Sequence, residues 1–222
     1  MPTTEIAGFQ LLRNINVDNP DPDLGAKIQE WSDSVVTQEG HQESWIGIVD
    51  EKSDELVAMI TWDSVEAHIA TLKRPDYKAV AESISTIFSG PGYMHHTDFE
   101  PYDQLAKAVS CPITEIATFY FDDEPPDGYL KRFRKFCEAA MKEEGPRPLA
   151  AAAGITHEEV EHEDVKGNAV VFVAGWNSIE AHGRFRESEV FRKHMPGLMD
   201  GAEKSQTVHI SFRKVQELGH GD

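Results

Sequence analysis

Cysteine, basic charge and long apolar runs are all scarce in this chain. Cys111 and Cys137 are its only cysteines, and two thiols in 222 residues do not make a disulfide framework. No apolar run approaches the ~20 residues that span a bilayer. The first residues, MPTTEIAGFQ, lack the basic and apolar regions of a secretory signal. The expectation is a cytoplasmic protein with no membrane partner. Lys and Arg number 21 against 39 Asp and Glu, a formal net charge of −18. Acids spread along the whole chain repel phosphate backbones, so no nucleic-acid partner is expected.

Nucleotide and metal motifs are also missing. There is no GxGxxG or Walker pattern, and Gly90-Pro91-Gly92 reads as a turn. His157-Glu158-Glu159-Val160-Glu161-His162 sets its histidines five apart rather than the four that one helix face requires, so it reads as an acidic, solvated turn. No cofactor and no metal is expected.

What the chain does have is a repeat of itself. Trp62-Asp-Ser-Val-Glu-Ala-His68 returns as Trp176-Asn-Ser-Ile-Glu-Ala-His182, displaced by 114 positions (176 − 62), with five identities in seven. The same displacement pairs Tyr77 with Phe191 and His95 with His209. Upstream, Thr4-Glu5-Ile6-Ala7-Gly8-Phe9 matches Thr114-Glu115-Ile116-Ala117-Thr118-Phe119 at a displacement of 110 (114 − 4).

Each copy reads as strand, helix, two strands, helix, strand. Alternation over 4–13 and 114–122 predicts the first strands. Leu24, Ile28, Trp31 and Val35 give a helical stripe, answered by Leu130, Phe133, Cys137 and Ala140. Strands follow at about 43–50 and 55–62, and at about 149–157 and 168–176. Asp63 and Asn177 suit the N-caps of the second helices, with Glu66 and Glu180 three residues on. The last strands fall at about 93–99 and 207–213. The expected domains are 1–100 and 113–215, with a linker at 101–112 and a tail at 216–222.

A βαββαβ unit leaves one sheet face without helices, and two units in one chain can bury those faces against each other. The expected fold class is α+β: two fused ferredoxin-like βαββαβ units forming a pseudo-dimeric α+β barrel. Its assembly is either a monomeric pseudo-dimer or a homodimer.

The βαββαβ order with Trp-x-Ser-x-Glu-Ala at the third strand and second helix resembles the dimeric α+β barrel superfamily, in its antibiotic-biosynthesis-monooxygenase-like branch. The resemblance covers both halves. It implies a small-molecule pocket between sheet and helices. Members include cofactor-independent monooxygenases, polyketide cyclases, isomerases, haem-degrading enzymes and stress proteins. Where many carry a further second-helix histidine, this chain has Thr71 and Phe185.

Histidines kept in both copies are the natural acid–base candidates: His68 and His182 on the second helices, and His95 and His209 on the last strands. Tyr93 shares the His95 face, and its phenol could steady an enolate, as could that of Tyr120. Trp62, Tyr77 and Phe9 in the first copy, with Trp176, Phe119 and Tyr120 in the second, are expected to wall the substrate pockets. Tyr77 faces its counterpart Phe191, which favours the N-terminal pocket. The expected function is cofactor-independent acid–base cyclisation, isomerisation or dehydration of a small aromatic or polyketide-like molecule. The alternatives are a cofactor-free monooxygenase of a phenol and a ligand-binding or stress-responsive barrel without catalysis.

Overall fold

The computed structural model describes residues 2–12 and 22–215. The end of the expected first strand and the expected tail at 216–222 lie outside the described residues. The chain divides into two compact units, one running up to His96 and taking in the segment from Arg213, the other spanning Thr97–Phe212.

The first unit holds β1 (Thr3–Gln10), α1 (Pro22–Val36), β2 (His41–Val49), β3 (Lys52–Trp62), α2 (Val65–Leu72), α3 (Pro75–Ser85) and β4 (Tyr93–Thr97), whose last residue passes into the second unit. Its strands order as β4-β1-β3-β2. Every residue of β3 from Leu56 to Trp62 is buried. Alternation then decides what each face receives: Leu56, Ala58, Ile60 and Trp62 pack with Leu24, Ile28 and Val35 of α1 and with Tyr77 of α3. Pro75 opens α3 at its first turn, where a missing N–H costs nothing. Gly40, at φ 82, makes the turn between α1 and β2.

The second unit holds α4 (Tyr102–Val109), β5 (Ile113–Tyr120), α5 (Tyr129–Ala140), β6 (Ala150–Ile155), β7 (Val160–His162), β8 (Val165–Gly167), β9 (Ala169–Trp176), α6 (Ile179–Arg186), α7 (Glu189–Met199) and β10 (Lys204–Ile210). Its order, β10-β5-β9-β6, repeats that of the first unit strand for strand. β5 pairs antiparallel with both β10 and β9. The core is aromatic: Phe119, Phe121, Tyr129, Phe133, Phe136, Phe172, Trp176 and Phe185 are all buried. A short β11 (Arg213–Lys214) returns to pair with β2 of the first unit.

Four local expectations need correction. The N-caps are Ser64 and Ser178, whose side chains accept from the Ala67 and Ala181 N–H groups, so each helix starts one residue later than Asp63 and Asn177 imply. A hydroxyl on extended backbone reaches the third helical N–H as well as a carboxylate does. The stripe of α5 runs through Tyr129, Phe133, Phe136 and Ala140. The larger ring of Phe136 takes the core position that the spacing gave to Cys137. The expected linker is helical and integral to the second unit, with Leu105, Ala108 and Val109 buried. Within the supposed turn at 157–162, Val160–His162 form β7, which pairs with β8 in a small hairpin.

Candidate functional site

In each unit the first strand, the end of the third strand, the second helix and the last strand bring one carboxylate, one indole and two imidazoles together. In the second unit, Glu115 of β5 is buried on the helix-bearing side of the sheet. The Trp176 Nε1–H donates to Glu115 Oε2 at 2.9 Å. His182 Nε2 lies 3.5 Å from Glu115 Oε1. His182 Nδ1 and His209 Nε2 share a hydrogen bond of 2.7 Å, its direction set by the tautomers. The His182 ring stacks on Trp176, centroids 4.7 Å apart, which fixes the orientation of both imidazole nitrogens.

The first unit repeats this chain. Trp62 Nε1–H donates to Glu5 Oε2 at 3.0 Å, His68 Nε2 lies 3.3 Å from the same oxygen, and His68 Nδ1 meets His96 Nε2 at 2.8 Å. His68 stacks on Trp62 with centroids 4.9 Å apart. His96 therefore corresponds to His209, a displacement of 113 (209 − 96), and the expected pairing of His95 with His209 slips by one residue. The helices α3 and α7 match at 114 throughout (189 − 75 and 199 − 85), so the slip falls in the connection to the last strand. One residue is enough to reverse the face of a strand. His95 is buried on the opposite face, its ring stacked against Tyr93 at 6.2 Å.

Cavities adjoin both carboxylates on the helix side. The second unit holds about 210 Å³, lined by Glu115, Trp176 and His182, by Phe119, Phe133, Phe136, Phe172, Phe185 and Phe191, and by Ser205, Thr207 and Arg186 near solvent. The first holds about 70 Å³, lined by Glu5, Phe9, Trp31, Tyr77 and mostly aliphatic side chains. Burial pushes the Glu115 carboxyl up to about 7, against the pull of the Trp176 hydrogen bond, His209 and Arg186. Burial, with Glu5 nearby, pushes the Tyr77 phenol up to about 12.

Of the residues expected at a site, the structure brings His182, Trp176 and Phe119 to the larger cavity and Phe9 and Tyr77 to the smaller. His209, His68 and Trp62 stand one contact behind. Tyr93 is half exposed on the other face, its hydroxyl 3.4 Å from Glu55, and Gly8 leaves the space its ring occupies. Tyr120 stacks on His162 at 4.2 Å, with its hydroxyl toward Gln206. Neither tyrosine lines a cavity described above. Glu5, Glu115 and Arg186 are the residues that sequence reasoning passed over, while His96, a weaker candidate beside His95, takes the place expected for His95. A glutamate kept in both copies on a strand otherwise filled by Ala7 and Phe9, or Ala117 and Phe119, was the available signal for the first two.

Among the described residues no group of three or more His, Cys, Asp and Glu side chains is placed to hold a metal ion. Haem, which some proteins of the resembled superfamily bind, does not fit here. Both ring nitrogens of His182 are engaged within the relay, and the adjoining cavity is 210 Å³. No helix among the described residues is long and apolar enough to cross a membrane.

Two four-stranded arrays of the same order, each with a helix-side cavity, give the chain a dimeric α+β barrel fold. Solved structures agree over almost the full length. An anthrone oxidase-like protein matches with a TM-score of 0.66 at 13% identity, over 100% of this chain and 96% of that one. A candidate monooxygenase from Fusobacterium nucleatum matches at 0.61 and 12%, over 96% and 93%. A candidate chlorite dismutase matches at 0.63 and 13%, over 98% and 96%. No family model and no curated protein matches the chain.

Proposed function

We propose that the chain is a small-molecule enzyme that removes and returns a proton on an aromatic or polyketide-like substrate, without a cofactor, in the cavity of its second unit. One observation carries this reading: the Glu115 carboxyl, held near neutrality by burial, faces an aromatic cavity and backs onto a Glu–His–His chain. A carboxyl of pKa about 7 is half charged at neutral pH, so Glu115 can both take up and return a proton there. Glu115 takes the proton from an acidic O–H or C–H, and the electron pair stays on the substrate as a phenolate or enolate. Ser205 and Thr207 at the rim can donate to its oxygen. Return of the proton at another atom completes an isomerisation, and loss of hydroxide with it completes a dehydration.

The size of the cavity narrows the substrate. Drug-sized ligands occupy roughly 300–1,000 Å³, so 210 Å³ suits one or two fused rings. The N-terminal pocket, favoured by its Tyr77, is a third of that volume, which favours the second unit.

The test is deuterium uptake from D2O into one- and two-ring phenols and β-dicarbonyls under argon, read by mass spectrometry. Glu115→Gln should slow uptake by ~10²-fold or more. Unchanged uptake would refute the relay, and binding with no uptake in the native protein would leave a ligand-binding module. The descriptions of two structural neighbours as a candidate monooxygenase and anthrone oxidase-like motivate a second arm in air. Oxygen consumption that needs Glu115 would assign the same deprotonation to a monooxygenase.

A further inference from the structure

Arg186 is the only Lys or Arg among the residues lining the larger cavity, and it stands at the rim with Met199, Ser205 and Thr207, the other exposed members of that lining. Its guanidinium carbon lies 5.9 Å from the centre of the Phe191 ring, which turns the cation over an aromatic wall. In a chain with 39 acidic residues, no carboxylate among the described residues lies within ion-pairing distance of it. Two other arginines on the same unit are ion-paired: Arg132 with Asp200, and Arg134 with Glu100.

The repeat supplies a comparison inside the molecule. The residue of the first unit at the same displacement is Leu72 (186 − 114), packed against that unit's apolar core. The smaller cavity has no Lys or Arg in its lining. The two units therefore share the carboxylate, the indole and the paired imidazoles, and differ in whether a cation overlooks the entrance. A guanidinium offers a planar fork of donors that matches a carboxylate, and at the edge of an apolar cavity it is less screened than on open surface.

We propose that Arg186 forms an anion subsite at the mouth of the second unit's cavity, and that the ligand is a small aromatic acid whose ring packs on the phenylalanine wall while its carboxylate meets the guanidinium. This deepens the functional reading given above and rests on it for the identity of the cavity. The arrangement fixes the ligand's direction, with its anionic end at the rim and the opposite end of the ring toward Glu115.

Isothermal titration calorimetry of the full chain with 2-naphthoate and its neutral isostere 2-naphthamide tests the subsite. The native protein should bind the acid at least ~10-fold more tightly than the amide. Arg186→Met should bring that ratio to about one, whereas Arg186→Lys should keep part of the preference. Arg186 is exposed, so folding should survive, with circular dichroism as the check. Equal binding of acid and amide by the native protein, or a preference that persists in Arg186→Met, overturns the subsite. Failure of both ligands to bind overturns it together with the aromatic cavity. Deuterium uptake that depends on Glu115 in a protein without acid preference would leave the relay standing and the subsite refuted, so the two readings fail separately.

Discussion

At the scale of single residues, Glu115 carries the proposed chemistry and a stability signature. Its carboxyl is raised from an ordinary 4.5 to about 7 because the charged form loses water. The folded state therefore binds this proton more tightly than the unfolded state does. The sign follows: the contribution is fully present below about pH 4.5 and is lost as pH rises through about 7. The loss is on the order of 3 kcal/mol. Urea midpoints taken between pH 5 and 8 should fall for the native protein and stay flatter for Glu115→Gln, which should be the more stable of the two above pH 7. A ¹³C-carboxyl NMR titration should show one glutamate titrating near 7 and missing from Glu115→Gln. A Glu115 resonance titrating near 4.5 would remove the basis of the relay.

At the scale of elements, the repeated helix start and the helix between the copies make separate predictions. Ser178 supplies the cap of α6, the helix that carries both His182 and Arg186. Ser178→Ala should cost about 1 kcal/mol, seen as a lower urea midpoint with an unchanged slope. α4 lies close against β9: a Cβ on Gly175 would sit 2.4 Å from Cys111 Sγ and 2.9 Å from the Ala108 backbone. Gly175→Ala should therefore destabilise the second unit by about 1–3 kcal/mol, measured by urea unfolding. A neutral effect would mean that α4 is a loose connection.

The elements were legible because period and caps are local properties. Leu24, Ile28 and Val35 are buried as their spacing requires, and the first strands take the faces that Phe9 and Phe119 indicate. The site was half legible for the opposite reason. His182 and Trp176 fall inside the repeated motif, whereas the facing of His96 depended on a connection one residue longer than its counterpart, which no periodicity reports. Arg186 carries meaning only once the cavity is in place, since the sequence shows it as one charge on an exposed helix.

At the scale of the whole molecule, two units of one fold keep the same four-residue chain but different cavities, 210 Å³ beside Glu115 and 70 Å³ beside Glu5. Packing explains the difference in part. The first cavity is filled by Tyr77 and by Ile46, Ile60 and Ile84, while the second is framed by phenylalanine rings and opens past Arg186. In the first unit the Trp62–Glu5 and His68–His96 hydrogen bonds then brace buried polar groups that would be costly if left alone. The decisive comparison is deuterium uptake from D2O measured side by side for Glu115→Gln and Glu5→Gln, each checked for folding by circular dichroism. The account predicts a loss of ~10²-fold or more for Glu115→Gln and less than about twofold for Glu5→Gln; equal losses, or a larger loss from Glu5→Gln, would contradict it.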